Sequence, residues 1–196
     1  MVCKCDDKNI GKPKWEDDGK RHIYILLVRY PDRISTISRF LTMCEYSHAS
    51  IGVSDSGGTF YSYATNGFRK ELPIKHPTFR AKEVLCKLYS IEVSDEICGV
   101  AKDILADHEQ QAHKYKYNFF GVLLCLLRLV LPRKNRYFCS QFVSDMLNQM
   151  GVVPLAKHTA LYLPDDFTKM KELHLRFSGY LSELVGIPST KSLLAA

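Results

Sequence analysis

Hydrophobic and polar positions along the chain follow two alternating periods. His22 to Arg29 (HIYILLVR) is dominated by β-branched, aromatic and aliphatic side chains, which predicts a buried strand. Asp32 can then cap a helix from Arg33 to about Met43, whose apolar positions Ile34, Ile37, Phe40 and Leu41 have helical spacing. Ser47 to Ser54 and Thr59 to Ala64 flank Asp55-Ser56-Gly57-Gly58, the pattern of a hairpin with glycines in its turn. Residues 65–82 hold prolines, lysines and arginines and read as a connecting loop. Val84 to Val93 is the next strand, followed by a helix over Ser94 to Tyr115 and an apolar helix over about 118–131. Pro132-Arg133-Lys134-Asn135 breaks the chain before a helix from Tyr137 to Met150, which Gly151 stops at the C′ position. A short helix over Leu161 to Phe167 and a strand over Leu173 to Phe177 complete the pattern. The expected fold is α+β, a small antiparallel sheet with packed helices in one domain over 21–185. A polar arm precedes it at 1–20, and a frayed tail follows at 186–196.

Placed at 100° per residue, the Tyr137–Met150 segment puts Phe138, Phe142, Val143, Met146, Leu147 and Met150 on one face, with Cys139 among them. Ser140, Gln141, Ser144, Asp145 and Asn148 fall on the other face. A cysteine in an apolar stripe is by itself most often an inert core residue. In the first turn of a helix, however, unpaired N–H groups and the dipole favour the thiolate, the attacking form. His48 opens a strand on which it shares a face with Ser50 and Gly52, small residues that would let a helix approach the ring closely. A catalytic imidazole needs a third group to orient it. On the neighbouring strand Ser62 can share the His48 face, Asn66 lies one step beyond, and Tyr61 reaches it only in another register.

The order of these parts, a strand bearing His, a hairpin partner and much later a helix opening with F-C-S-Q-F-V, resembles the permuted NlpC/P60-like proteins. These are circularly permuted papain-like thiol enzymes, distantly related to those of the lecithin:retinol acyltransferase kind. The matching segments are Tyr46 to Ala64, Arg136 to Leu147 and Tyr117-Asn118-Phe119-Phe120-Gly121, so the likeness spans roughly 22–151. It implies acyl chemistry on a peptide amide or an acyl ester, with Cys139 as nucleophile and His48 as base. It puts the third polar residue at Ser62, where many relatives carry His or Glu. Tyr61, Tyr117 and Ser140 are the expected substrate-binding residues.

Composition narrows the rest. Of 196 residues 46% are hydrophobic and 24% charged, an ordinary globular balance. The net charge is +6, from 27 basic and 21 acidic residues, and the pI is about 8.9. The basic residues are scattered, so no nucleic-acid partner is expected. Arg128, Arg133, Lys134 and Arg136 cluster beside the apolar run Phe119–Leu131, which keeps open a peripheral membrane contact and a lipid-directed acyltransferase or phospholipase. That run has 13 residues, short of the roughly 20 a spanning helix needs. Seven cysteines without framework spacing, and no apolar leader among the first twenty residues, point to reduced thiols in the cytoplasm. Cys3-x-Cys5 and Cys44-x₃-His48 lack the paired spacing of zinc sites, so neither metal nor cofactor is expected. Phosphate-loop, dinucleotide, HExxH and G-x-S-x-G motifs are missing, which argues against Ser140 as a serine nucleophile. A non-enzymatic binding module on the same fold is the remaining alternative.

Overall fold

A computed structural model describes residues 19–54, 56–73, 84–130 and 135–185. The polar arm to residue 18, the tail from 186, and the Pro132-Arg133-Lys134 part of the break lie outside the described residues. Eight strands and five α-helices are present among those described: β1 (Arg21–Arg29), α1 (Arg33–Thr42), β2 (His48–Val53), β3 (Phe60–Ala64), β4 (Gly67–Glu71), β5 (Leu85–Val93), α2 (Asp95–Gln110), β6 (Lys116–Tyr117), α3 (Phe119–Leu126), β7 (Arg136–Tyr137), α4 (Cys139–Met150), β8 (His174–Tyr180) and α5 (Leu181–Leu184). Short 3₁₀ turns at Thr159–Leu161 and Pro164–Lys169 stand where one short helix was expected. The class is α+β. Six strands form one antiparallel sheet in the order β4-β3-β2-β1-β5-β8.

Local chemistry explains most boundaries. The Asp32 carboxylate accepts from Ser35 N–H and starts α1, and the Ser94 hydroxyl does the same for α2. Gly151 at φ 65° ends α4 in the left-handed conformation expected of it. The apolar helix is shorter than its sequence suggests: Arg128 turns left-handed, and the N–H groups of Arg128 and Leu129 return to the Cys125 and Leu124 carbonyls. α2 also stops early, at Gln110, before a 3₁₀ turn. No helix among the described residues is long and apolar enough to cross a membrane.

The two faces of the sheet divide the labour. Ile23, Ile25, Leu27, Ala49, Ile51, Val53 and Tyr63 project to the face covered by α2 and α4, where Phe142, Val143, Met146 and Leu147 close the main core. Tyr24, Leu26, Val28, Phe60 and Leu88 project to the other face and meet Phe177, Leu181 and Leu184. The expectation that α4 lies against the His48-Ser50-Gly52 face is therefore corrected. The apolar residues of β2 are Ala49, Ile51 and Val53, and burial draws the helix to them instead. The stretch read as loop 65–82 also begins with a strand. β3 and β4 pair from Ala64↔Gly67 to Phe60↔Glu71 around Thr65-Asn66, with Gly67 at φ 95°.

Candidate active site

Cys139 and His48 meet at the end of β2, where the first turn of α4 reaches the edge of the sheet. The Cys139 sulfur and the His48 ring are close enough for each to shift the other's titration, and the backbone N–H groups of Ala49 and Ser140 act on the sulfur in the same sense as His48. Both side chains are buried, and both line a cleft of about 340 Å³. Phe138, the N-cap of α4, offers no side-chain cap, so the amides of the first turn are left to the sulfur and to whatever occupies the cleft.

The orienting group is Glu71, which sequence reasoning missed. His48 Nε2–H donates to Glu71 Oε1 at 2.8 Å, leaving Nδ1 for the thiol. The Ser62 hydroxyl donates to the same oxygen at 2.6 Å, and Arg69 Nε lies 3.0 Å from it. Ser62 thus lies on the His48 face as expected, but it bonds the carboxylate rather than the ring. Asn66 is exposed in the β3–β4 turn and reaches neither. The missed signal was Asn66-Gly67, a strong two-residue hairpin cue. The turn closes one residue earlier, at Thr65-Asn66, and that register puts Glu71 opposite Phe60, hence on the face of Ser62 and His48.

The electrostatics follow from this chain of contacts. Burial alone would raise the Glu71 carboxyl. The His48 cation and its hydrogen bond, then Arg69 and Ser62, outweigh burial and hold it at about 2. Burial alone would lower His48, but the Glu71 charge and the contact with Cys139 raise it well above an ordinary histidine. Burial would raise Cys139, yet its bond to His48, the His48 charge and the two amides lower it. Both shifts favour the charged forms, a thiolate beside an imidazolium. Cys86 and Cys44, by contrast, are pushed up by burial, and Cys125 is pushed up to about 11.

Among the expected substrate-binding residues, Tyr117 lines the cleft, close enough to Cys139 to feel its charge. It is held there by a two-residue parallel ladder between β6 and β7. Tyr61 is not in the cleft: paired opposite Ile51, it projects to the α4 side and stacks on Phe68. The Ser140 side chain is also turned away, donating to the Tyr162 carbonyl at 2.7 Å. Ser140 and Ser144 are buried, because carbonyls of the 158–162 segment satisfy their hydroxyls. Tyr30 completes the wall, its ring centroid 5.8 Å from that of His48. Cys44 bonds the Thr42 carbonyl, Cys3 and Cys5 lie outside the described residues, and no group of three potential metal ligands occurs among the described residues.

Asn118 places α3 behind Tyr117, its Oδ1 accepting from Gly121 N–H at 2.9 Å. A Cβ on Gly121 would lie 2.1 Å from Asn118 Nδ2. Gly121→Ala is expected to expel this buried amide. The lost cap and unsatisfied group outweigh the gain in helix propensity, for a net loss of about 1–2 kcal/mol. Thermal denaturation checks this, and an unchanged or raised midpoint would contradict it.

No protein-family model matches the chain, and no curated protein is similar to it.

Proposed function

We propose that the chain is a cysteine-dependent acyl hydrolase or acyltransferase with a circularly permuted papain-like fold. The observation that carries this reading is the line Cys139–His48–Glu71 at the wall of an open cleft. The support is chemical as well as geometric. A nucleophile, a base within hydrogen-bond reach and a carboxylate fixing the base are the parts that thiol catalysis requires. An inert core cysteine needs none of them.

In this mechanism the Cys139 thiolate adds to a substrate carbonyl, and the Cys139 backbone N–H donates to the oxyanion. The C–N or C–O bond then breaks, and the His48 imidazolium gives its proton to the leaving amine or alcohol. Water, or an acceptor alcohol or amine, next adds to the thioester as His48 takes its proton. Breakage of the C–S bond frees the acyl product and restores the thiolate–imidazolium pair. Glu71 stays ionised and holds the ring. Peptide-like amides and acyl esters both satisfy this scheme.

The test is a pre-steady-state burst with a short-chain p-nitrophenyl ester, with intact-mass detection of the adduct. The expected result is a stoichiometric burst and an acyl group mapped to Cys139, both absent in Cys139→Ala. A burst that survives in the variant, or none in the parent, would favour a binding module on this fold.

A further inference from the structure

The cleft that holds Cys139 is polar. Tyr30, Ser35, Ser38, Thr65 and Tyr117 bring hydroxyls to its walls, and Ala64 is its one aliphatic side chain among the described residues. Two charged side chains besides the Cys139–His48 pair stand on those walls. Asp32, at the start of α1, is exposed, and its carboxylate accepts from the Ser35 N–H at 2.9 Å. Arg69, on β4, is the one lysine or arginine of the cleft among the described residues.

Arg69 is fixed at one end and open at the other. It pairs opposite Ser62, so its side chain shares the face of Ser62 and Glu71. Its Nε lies 3.0 Å from Glu71 Oε1, and its side chain is 31% exposed. Among the described residues the guanidinium has no other ion pair or hydrogen bond. A guanidinium is a planar fork of N–H donors, of which Nε is one. The terminal amino groups of a fork held from behind are preorganised for a carboxylate, which they can take in two parallel hydrogen bonds.

The direction of the catalytic line says which part of a substrate Arg69 meets. His48 Nε2 points to Glu71, and so toward Arg69, while Nδ1 is left toward the sulfur. A leaving group takes the His48 proton, so it departs on the His48 side of the sulfur. Arg69 stands beyond His48 on that side. The thiolate and Glu71 balance His48 and Arg69 in charge, so a carboxylate is drawn in by directed hydrogen bonds rather than by a surplus of positive charge. Asp32 opposes a second anionic group, which excludes polyanions. Acylation of Cys139 removes the thiolate charge and leaves the subsite more favourable to a carboxylate.

We propose that Arg69 is a specificity residue that receives a carboxylate on the leaving group. The substrate class is then an acyl group carried by an amino or hydroxy carboxylic acid, the last amide bond of a peptide included. This rests on the thiol-enzyme reading and narrows it. With the carboxylate on Arg69, the scissile nitrogen or oxygen lies between the sulfur and His48. The C–N or C–O bond breaks as His48 gives that atom its proton, and the free amino or hydroxy acid departs. Water then adds to the thioester, His48 takes its proton, and the C–S bond breaks.

O-acetyl-lactate and O-acetyl-lactamide, which differ in carboxylate against carboxamide, test this with the full chain. The parent is expected to favour the carboxylate by about tenfold in kcat/KM. Arg69→Gln should bring that ratio close to unity. Arg69→Lys keeps the charge without the planar fork and should keep part of the preference. An arginine that only supports Glu71 would slow both esters alike in Arg69→Gln and leave the ratio where it was. Equal rates in the parent, or a preference that survives in Arg69→Gln, would overturn the assignment, and the parent ratio stands as a test even where a variant fails to fold. Acetylation of Cys139 by p-nitrophenyl acetate, read by intact mass in the same preparation, follows the thiol chemistry separately. Acetylation without a carboxylate preference would overturn the leaving-group assignment alone. No acetylation from any of the three esters would sink the thiol-enzyme reading, and the assignment with it.

Discussion

Replacing Glu71 by alanine is expected to lower the unfolding free energy by about 3–5 kcal/mol and to silence Cys139 in the same step. Glu71 and His48 are both buried, and one carboxylate oxygen receives His48, Ser62 and Arg69. Removing it leaves the buried imidazolium with the thiolate as its remaining counter-ion. The ring then loses its proton more readily, and with that proton goes the charge that holds the thiol ionised. Ser62→Ala removes one neutral donor to the same oxygen and should cost about 1 kcal/mol. Urea denaturation of the two variants, read with alkylation of Cys139 at neutral pH, measures both effects. A Glu71→Ala protein as stable and as reactive as the parent would show that the carboxylate is a bystander. The acid limb follows from the same group. Its folded value is depressed to about 2, so its contribution is present at neutral pH. That contribution is lost as pH falls from the ordinary carboxylate range, near 4, toward that value.

The second large effect lies in the pH profile of Cys139. An ordinary thiol titrates near 8.5, so its alkylation by iodoacetamide slows about a hundredfold between pH 8 and pH 6. Cys139 is depressed by its bond to His48, by the His48 charge and by two backbone amides, against the pull of burial. Its rate is expected to fall far less over that interval than that of an ordinary thiol. At the alkaline end the imidazolium is lost as pH rises through the raised His48 value, and the pair becomes thiolate and neutral ring. His48→Ala should restore the ordinary slope. Quantitative mass spectrometry of each cysteine, with Cys125 and Cys86 as internal comparisons, reads the profile directly. A parent protein whose Cys139 follows the slope of an ordinary thiol would sink the ion pair.

The parts of this arrangement differ in how openly the sequence displays them. β1, β2 and α4 are legible because burial imposes their periods, and the caps at Asp32, Ser94 and Gly151 are local chemistry. The thiol and its histidine were legible from their places on a helix start and a strand end. β4 was not, because its site-facing residues, Arg69 and Glu71, are charged, and a strand that turns charge inward looks like a loop. The direction in which α4 packs was misjudged for a related reason. Small residues beside His48 suggested room for a helix, while the stronger pull came from Ala49, Ile51 and Val53 on the reverse side. Ser140 and Ser144 looked like a wet helix face, and only tertiary carbonyls could show them to be dry.

The separation of the site residues along the chain has a consequence for assembly. His48 and Glu71 are 23 positions apart and are joined by the β2-β3-β4 meander. The meander is built of two successive hairpins, the local kind of pairing that topology makes quick to form. Cys139 comes from a helix far downstream and joins only when α4 docks on the sheet. Until then it is one of seven ordinary thiols, protonated and slow. Reactivity toward a mild alkylating agent below neutral pH is therefore expected only once α4 has docked on the sheet. A growing or partly folded chain carries no sulfur armed to acylate itself, and a single labelled cysteine serves as a count of correctly assembled molecules.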